Sequence, residues 1–458
     1  MGGILPQQLL AVHVPYPYNE PVMQTARPRA SLHTLGCRLN QAETALLADR
    51  LQNDGYEIVA YGRPTDLLVL NTCSVTDEAE RVCRYEVRRT LRHSPHAFVA
   101  VTGCYAQTGV EALRRVPGID LVVGNRHKMS LPAHLPPSTA LRKQPAPALL
   151  HTRTLDRDDF TLDGVGSHGS TRANLKIQDG CNFMCSFCLI PFARGHERSR
   201  RMDDAVREAE ALVARGHREL ILTGVNIGRY EQDGRPLLDL IRRLERIEGM
   251  DRIRISSIEP TTVSDELLEH MAASDKLCRH LHLPLQSGDD DTLRAMNRRY
   301  TIKEYAAFVD KAMRLIPDLG LGTDVMVGFP GESEARFANT LAAVTDLPFA
   351  YLHVFAYSKR PGTAAASMTG AVPAATVRSR SKALAELSRA RRMTFYQRYV
   401  GRTVEVLFET PDDTGRWTGL TGNYMRVGVT AEEDLANRLR PVAIEGVMDG
   451  LAVGRLLP

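Results

Sequence analysis

The stretch Asp179-Gly-Cys-Asn-Phe-Met-Cys-Ser-Phe-Cys188 holds three cysteines, Cys181, Cys185 and Cys188, in one loop. The loop follows residues 174–178, a run that is typical of a buried strand. Three thiolates with C-x3-C-x2-C spacing can bind three irons of a 4Fe-4S cluster and leave the fourth iron without a protein ligand. An iron with an open position can bind S-adenosylmethionine (SAM) and reduce it to a carbon radical. The motif therefore predicts a 4Fe-4S cluster and SAM as cofactors.

A structural zinc site is the alternative for the same loop. Structural zinc normally takes four protein ligands, and its cysteines normally come in paired C-x2-C spacings. No cysteine follows nearby to act as a fourth ligand, and the nearest other candidate is His196. The spacing therefore favours the iron–sulfur cluster.

A second set of cysteines, Cys37, Cys73 and Cys104, lies in the N-terminal region, where each follows a predicted strand. The carboxyl ends of parallel strands meet at one edge of a sheet, where such sheets bind ligands. We therefore expect these thiols to lie together and predict a second 4Fe-4S cluster with one open iron. A buried core thiol is the alternative for any one of them. Cys83 and Cys278 share no such pattern and are predicted not to be ligands.

The chain has 458 residues, of which 43% are hydrophobic and 24% charged, as in globular proteins of about three domains. Its alternating strand-like and helical runs predict an α/β fold. Six strand-like runs in the centre, two short of a full eight-fold barrel, indicate a partial (β/α)6 barrel. The expected divisions are a leader over 1–30, a small parallel α/β domain over 31–128, a linker over 129–170, the partial barrel over 171–398, and a small β-barrel over 399–458.

Charge and hydropathy give weaker indications of the partners. The formal net charge of +4 is too small to indicate a nucleic-acid partner by itself. No apolar run approaches the roughly 20 residues that span a bilayer, and the first thirty residues do not resemble a signal peptide. We therefore expect a cytoplasmic protein that does not enter membranes.

The cysteine motifs and four stretches around them resemble the radical-SAM methylthiotransferases. In that family an N-terminal domain binds an auxiliary 4Fe-4S cluster through three cysteines, the partial barrel holds the SAM-cleaving 4Fe-4S cluster, and a C-terminal TRAM β-barrel binds RNA. The resemblance assigns Cys37, Cys73 and Cys104 to the first cluster and Cys181, Cys185 and Cys188 to the second. The four stretches are Thr34-Leu-Gly-Cys-Arg-Leu-Asn-Gln-Ala-Glu43, Val101-Thr-Gly-Cys-Tyr-Ala-Gln107, Ile190-Pro-Phe-Ala-Arg-Gly195 and Leu283-Pro-Leu-Gln-Ser-Gly288.

Within the family the stretches look most like the type that acts on N6-threonylcarbamoyladenosine in tRNA. Relatives that modify isopentenyladenosine usually carry Met-Asn and Asp-Ser near the first cysteine, and those that modify a ribosomal-protein aspartate carry Pro-Lys-Asn. Here those places read Arg38-Leu-Asn-Gln and Glu43-Thr. Both relatives remain alternatives, and a non-catalytic RNA-binding metalloprotein is an alternative of another class.

The resemblance implies an enzyme that adds a methylthio group to C2 of the modified adenine at position 37 of tRNA. SAM would serve as methyl donor and as radical source. The implied partners are the anticodon loop of tRNA and an electron-donor protein, and we expect a monomer.

Several polar residues at strand ends are candidates for SAM binding. Thr223 and Gly224 follow the second barrel strand, where radical-SAM proteins present backbone to SAM. Ser256 and Gln286, at the ends of the third and fourth strands, are predicted to hydrogen-bond SAM; solvated strand ends are the alternative.

Four arginines follow the cysteine loop, namely Arg194, Arg198, Arg200 and Arg201. Guanidinium groups can bind the carboxylate of SAM or a tRNA phosphate, and we assign Arg198 to SAM. A solvated charged face is the alternative for this run. The basic helical stretch 375–402 is a candidate phosphate track, and Trp417 and Tyr424 are candidate stacking faces for RNA.

Overall fold

The computed structural model describes residues 27–74, 77–153, 155, 162, 166 and 171–458. Most of the predicted leader over 1–30, and most of the predicted linker beyond residue 153, lie outside the described residues. Among the described helices, none is both long and apolar enough to cross a bilayer.

The N-terminal domain is a sheet of six parallel strands in the order β2-β1-β3-β4-β5-β6. Separate apolar clusters pack on its two faces, which explains why β3 and β4 are buried along their whole length. The elements are β1 Arg29–Thr34, α1 Arg38–Asn53, β2 Glu57–Val59, β3 Leu67–Thr72, α2 Asp77–His93, β4 Phe98–Gly103, α3 Cys104–Thr108, α4 Val110–Arg114, β5 Leu121–Val123 and β6 Ala148–Leu150.

Two of these strands, β2 and β6, were not predicted. Each has three residues, too few for a hydrophobic period to show in the sequence. Strand β6 falls within the predicted linker and pairs in parallel with β5. This part of the linker thus belongs to the N-terminal sheet.

The central region confirms the predicted partial barrel. Strands β7, β10, β13, β14, β15 and β16 follow one another in two parallel three-stranded sheets, joined by parallel bridges from Ile253 to Leu277 and from Ser257 to His282. The elements are β7 Arg172–Lys176, β8 Gln178–Asp179, α5 Ile190–Arg194, β9 Arg198–Ser199, α6 Met202–Ala214, β10 Glu219–Thr223, β11 Glu231–Gln232, β12 Arg235–Pro236, α7 Leu237–Leu244, β13 Arg252–Ile255, α8 Asp265–Ala273, β14 His280–His282, α9 Asp290–Ala295, α10 Ile302–Leu315, β15 Gly320–Val327, α11 Glu334–Asp346 and β16 Tyr351–Ala356.

A long helix, α12, leads into a closed five-stranded barrel with the order β17-β18-β19-β21-β20. The sequence predicted a small β-barrel here from three strand-like runs, and the structure adds β18 and β21. The elements are α12 Ala374–Gln397, β17 Thr403–Pro411, β18 Trp417–Leu420, β19 Arg426–Val429, β20 Leu439–Met448 and β21 Leu451–Leu456. Short 3-10 helices lie at Lys128–His134, Ser138–Ala140, Ile227–Arg229, Pro260–Thr262 and Ala364–Ser367.

A buried ion pair fixes the C-terminal barrel to the partial barrel. Arg254 on β13 pairs with Glu219 on β10 at 2.7 Å, and both side chains are almost fully excluded from solvent. The same guanidinium donates to the carbonyl oxygens of Thr421 and Gly422, at 3.0 and 2.9 Å. Tyr424, a candidate stacking face for RNA, is half-buried with its ring against His280; its stacking on RNA stays a prediction. The interface between the partial barrel and the C-terminal barrel is therefore polar.

We predict that Glu219→Gln lowers the free energy of unfolding by about 3–5 kcal/mol, because it leaves the buried charge of Arg254 without a counterion. The first transition of a urea unfolding curve measures this free energy. Glu445→Gln is the control: it removes the exposed pair with Arg455, in which the side chains of Glu445 and Arg455 are 57% and 67% exposed, and should cost less than about 1 kcal/mol. Equal losses in both variants would contradict the prediction.

Candidate active site

The N-terminal cysteines meet at one edge of the sheet. Cys37 caps the start of α1 just after β1, Cys73 follows β3, and Cys104 begins α3 directly after β4. Since β1, β3 and β4 are neighbours, the three residues leave the sheet side by side. Cys73 and Cys104 are buried, whereas solvent reaches Cys37. Desolvation nevertheless raises the pKa of the Cys37 thiol, so this sulfur lies in a recess.

Two glycines make this arrangement possible. Gly36 has a φ of +107°, and a Cβ atom there would lie 2.9 Å from the Cys73 sulfur. Gly103 has a φ of +100°, and a Cβ atom there would lie 2.4 Å from the carbonyl oxygen of Thr72. Both positions need the left-handed backbone and the missing side chain of glycine. The Gly-Cys pairs of the sequence are thus requirements of close packing around the cysteines.

The second set occupies the loop after β8. The backbone N–H of Phe183 donates to the Cys181 sulfur and that of Ile190 to the Cys188 sulfur, each at 3.4 Å. Burial raises the pKa of these thiols, to about 11 for Cys181 and about 12 for Cys188. Nucleophilic cysteines, in contrast, have lowered pKa values. Donors aimed at the sulfurs instead suit thiolates that bind a metal.

A buried arginine faces the third sulfur of this loop. Arg298 Nη1 lies 3.6 Å from Cys185 Sγ, and its Nη2 donates to Glu259 at 2.7 Å and to Tyr300 Oη at 2.9 Å. The side chain of Arg298 is 5% exposed. A cation held here stabilises negative charge on the sulfur. Positive charge and hydrogen bonds next to cluster sulfurs are among the features that set reduction potentials.

Sulfur spacing distinguishes an iron cluster from a single metal ion. In the part of the chain that the structure describes, neither cysteine set brings three sulfurs within 4.8 Å of one another. Four thiolates on one zinc at about 2.3 Å would lie about 3.8 Å apart. Both sets are therefore more widely spaced than a mononuclear zinc site requires.

A buried charge network lies between the two cysteine sets. Glu43 on α1 accepts from Lys128 at 2.6 Å, from Lys176 on β7 at 2.7 Å and from Arg194 on α5 at 3.0 Å. Arg194 also reaches Asp179, two residues before Cys181, at 3.1 Å. The side chain of Arg194 is 1% exposed. One carboxylate thus joins the helix that starts at Cys37 to the loop that carries the second set.

Two asparagines complete this network, which we call the Glu43 network: Glu43, Lys128, Lys176, Asp179 and Arg194. Asn40 Oδ1 accepts from Arg194 at 2.6 Å, while its Nδ2 donates to the carbonyl oxygen of Leu35 at 2.9 Å. Asn125 Nδ2 donates to the carbonyl oxygen of Ala193 at 2.6 Å and lies 4.0 Å from Cys104 Sγ. The two cysteine sets therefore lie on opposite sides of one rigid interface.

Two of the four arginines that follow the cysteine loop have structural roles. Arg194 belongs to the Glu43 network, and the buried Arg200 pairs with Asp204 and Glu208 on α6. Both side chains are buried in ion pairs, so neither lies on a solvated face or binds a phosphate. This corrects the two expectations for Arg194 and Arg200. Their carboxylate partners lie in other segments or on the next helix, so the run alone did not reveal them. Arg198 donates to Asp179 at 3.1 Å.

The predicted SAM contacts lie at the ends of their strands. Thr223 ends β10 with its hydroxyl donated to the carbonyl oxygen of Ile221, so its side chain is already engaged. A Cβ atom on Gly224 would lie 2.8 Å from Gln178 Oε1. Ser256 is half-buried after β13, and Gln286, also half-buried, has a φ of +69°. The assignment of these residues to SAM stays a prediction.

One polar atom next to Gly224 has no partner. Gln178 Oε1 accepts from the backbone N–H groups of Val225 and Asn226, at 2.8 and 2.9 Å, and so fixes this loop. Asn226 Nδ2 is buried, and within the described residues no hydrogen-bond acceptor reaches it. A buried amide without a partner carries an energetic cost that a bound polar ligand would remove. This loop therefore fits a site for SAM.

Comparison with known proteins agrees with the geometry. Residues 29–124 match the uncharacterized protein family UPF0004, and residues 175–344 match the radical SAM superfamily. The threonylcarbamoyladenosine tRNA methylthiotransferase MtaB of Bacillus subtilis is 36% identical over 90% of this chain and 93% of its own length. The chain belongs to the radical-SAM tRNA methylthiotransferase family. The fold of that family implies a 4Fe-4S cluster and SAM.

Other relatives of this methylthiotransferase include two groups with different substrates in their names. MtaB of Thermotoga maritima is 32% identical over 93% of this chain and 96% of its own length. The tRNA-2-methylthio-N(6)-dimethylallyladenosine synthase of Maricaulis maris is 34% identical over 95% of this chain and 98% of its own length. The solved radical SAM methyltransferase TsrM of Kitasatospora setae has a TM-score of 0.51 at 16% identity, over 74% of this chain and 77% of that one. This last likeness shows the fold alone.

Sequence reasoning missed several residues of the methylthiotransferase site. Glu43 had a usable signal, because Asn40 and Glu43 follow Cys37 at helical spacing on one face of α1. Arg298 had none, since Glu259 and Cys185 lie 39 and 113 residues away in the sequence. Cys83 and Cys278, predicted not to be ligands, are both buried; Cys83 packs in an apolar cluster of the N-terminal domain, and Cys278 lies near Arg254.

We predict that Glu43→Gln destabilises this methylthiotransferase at pH 7 by about 3–5 kcal/mol, since three buried cations lose their main counterion. Burial by itself would raise the pKa of Glu43, but Arg194, Lys128 and Lys176 hold it well below 4.5. The stabilisation is therefore complete above about pH 4.5 and is lost as the pH falls further. Urea unfolding at a series of pH values should show the gap to wild type narrowing in acid.

The control for this measurement is Asp203→Asn. Asp203 pairs with Arg243 on the surface at 2.6 Å, and its side chain is 63% exposed. An exposed pair of this kind contributes less than about 1 kcal/mol. A gap between Glu43→Gln and wild type that stays constant from pH 7 to pH 3 would show that the charge of Glu43 is not the cause.

Proposed function

We propose that the protein adds a methylthio group to C2 of N6-threonylcarbamoyladenosine at position 37 of tRNA. The observation that carries the proposal is the pair of three-cysteine sets on opposite sides of the Glu43 network. The similarity to MtaB proteins over at least 90% of the chain supports the substrate. The corresponding reaction on dimethylallyladenosine is the second candidate, because a named synthase of that kind covers 95% of the chain.

In this proposal the two cysteine sets hold two 4Fe-4S clusters. Cys181, Cys185 and Cys188 bind the one that cleaves SAM, and Cys37, Cys73 and Cys104 bind the other. When bound, these groups and SAM supply the radical, the sulfur and the methyl group. The Glu43 network keeps the distance between the two sets constant. Arg298 keeps positive charge next to the Cys185 sulfur.

The loop ends of the barrel position SAM. The tight turn at Gly224 lets the backbone approach the ligand, and Asn226 offers its unpartnered amide. Ser256 and Gln286 provide polar groups on the next two strands. Arg198, which donates to Asp179 and to the carbonyl oxygen of Arg194, is assigned to the carboxylate of SAM.

The tRNA substrate needs a cationic surface. On α12, Arg378, Lys382 and Arg389 are exposed, whereas Arg380 is buried against Glu332. We assign the exposed residues of α12 to contacts with tRNA phosphates, because such contacts are electrostatic. The C-terminal barrel is assigned to tRNA binding from its resemblance to TRAM domains alone. An electron-donor protein completes the reaction, and a tRNA substrate places the enzyme in the cytoplasm.

We predict that the protein, reconstituted anaerobically, holds about eight irons per chain in two clusters. The triple variant of Cys181, Cys185 and Cys188 to Ala should keep about half of them, because the other set is intact. Iron analysis and visible absorbance measure this; a colourless, zinc-loaded protein would contradict it. Complete loss of iron in the triple variant would show that the two sets do not bind separately.

A second prediction tests the division of labour and the substrate together. With dithionite, SAM and an anticodon stem–loop carrying N6-threonylcarbamoyladenosine, wild type should form both 5′-deoxyadenosine and the methylthiolated nucleoside. The variant without Cys181, Cys185 and Cys188 should form neither. The variant without Cys37, Cys73 and Cys104 should still form 5′-deoxyadenosine but insert no sulfur. Sulfur insertion by the latter variant would show that the N-terminal set is structural.

A further inference from the structure

The last strand of the partial barrel carries a row of aromatic side chains. Tyr351, His353 and Phe355 alternate along β16 and face the barrel interior, as the contacts of Tyr351 and His353 with His282 show. Tyr351 is buried, whereas the side chain of His353 is 52% exposed and Phe355 is 43% exposed. Strand β16 ends the sheet order, so this face borders the opening of the partial barrel.

A hydrogen-bonded chain supports His353 from behind. Asp324 Oδ1 lies 2.8 Å from His282 Nε2 and 3.4 Å from His353 Nδ1. His282 Nδ1 lies 3.1 Å from Tyr351 Oη, which also lies 3.0 Å from His280 Nε2. Burial by itself would raise the pKa of Asp324, but the hydrogen bonds from His282 and His353 hold it below its usual value. Asp324 is therefore an anion that accepts from both imidazoles.

This chain lies between the two cysteine sets. At one end the ring of Tyr424 stacks on His280, and its hydroxyl accepts from Arg38 at 3.0 Å. Arg38 is the residue after Cys37. At the other end, the charge of Asp324 acts on Glu259. Glu259 pairs with Arg298, the arginine that faces Cys185. The chain is thus connected through Arg38 to the residue next to Cys37 and through Arg298 to Cys185.

Four cations of the barrel and its interface are already paired with carboxylates. Lys176 and Arg194 bind Glu43 at 2.7 and 3.0 Å. Arg254 binds Glu219 at 2.7 Å, and Arg298 binds Glu259 at 2.5 Å. His353 differs from them. Its Nδ1 faces Asp324, which leaves Nε2 on the exposed side of the ring. An imidazolium donates from both nitrogens and can therefore join two carboxylates.

We propose that His353 binds the carboxylate of the threonylcarbamoyl group and that Phe355 stacks on the adenine ring. This inference rests on the proposed function. The threonylcarbamoyl group carries a carboxylate at neutral pH, whereas a dimethylallyl group carries no charge. The rings of His353 and Phe355 are 6.4 Å apart and nearly perpendicular, so one can face a carboxylate while the other presents its flat side to a base. His353 thus determines specificity for the charged nucleoside.

The test uses the reconstituted full-length enzyme and two synthetic anticodon stem–loops. One carries N6-threonylcarbamoyladenosine, and the other carries the same group with its carboxylate converted to a neutral carboxamide. A charge-assisted hydrogen bond should give wild type a preference of about 10- to 100-fold in kcat/KM for the carboxylate. His353→Phe should reduce this preference to about onefold, mainly by raising KM for the carboxylate substrate.

Phe355→Leu is the matched control on the same strand. It should lower kcat/KM for both stem–loops by similar factors and keep the preference, because stacking does not depend on the carboxylate. If His353→Phe loses iron, His353→Gln replaces it, since glutamine keeps a polar side chain without the imidazole ring. An unchanged preference in the His353 variant, or no preference in wild type, would overturn the inference.

Two further outcomes are distinguished by the same samples. His282, Asp324 and His353 offer ligand atoms within 4.8 Å of one another, so metal analysis of zinc and manganese is included. One such ion per chain, lost in Asp324→Asn, would overturn the assignment in favour of a metal site. Wild type that methylthiolates a dimethylallyladenosine stem–loop but neither of the other two would instead contradict the proposed function itself.

Discussion

The structure depends on the burial of the Arg194 charge between two domains. A guanidinium with 1% exposure is tolerated only where carboxylates and carbonyl oxygens surround it, and here Glu43 comes from one domain and Asp179 from the other. Neither domain alone can supply the complete set. The charge therefore selects one mutual arrangement, and both cysteine sets follow from it, since Glu43 lies on the helix that starts at Cys37 and Asp179 lies just before Cys181.

Such an interface contributes geometry more than stability. The cost of removing several ions from water is close to the energy they recover by pairing, so an apolar interface of the same size could be equally stable. An apolar interface, however, tolerates sliding and repacking, whereas hydrogen-bonded ions have directional requirements. Chemistry that involves two separately held groups needs their separation to be constant. The Glu43 network provides this constancy from side chains alone.

The parts of the site that the sequence predicted are those whose signal is local. The cysteine spacing from Cys181 to Cys188 is read from eight residues, and the six barrel strands are read from short buried runs. Residues such as Arg298 and His353 carry no local signal, because their partners Cys185 and Asp324 lie far away in the sequence. Arg200 illustrates the same limit: a charged residue is normally exposed, and only its carboxylate partners reveal that it is buried.

The seam between the two barrels has one further consequence. Arg254 and Arg252 hold the C-terminal barrel through the carbonyl oxygens of Leu420, Thr421 and Gly422, which are backbone atoms. Substitutions in that loop can change its side chains without changing these acceptors. The sequence of this loop can therefore vary while the C-terminal barrel keeps the same hydrogen bonds to β13. Selection on the side chains of the loop is thus separated from the attachment of the barrel.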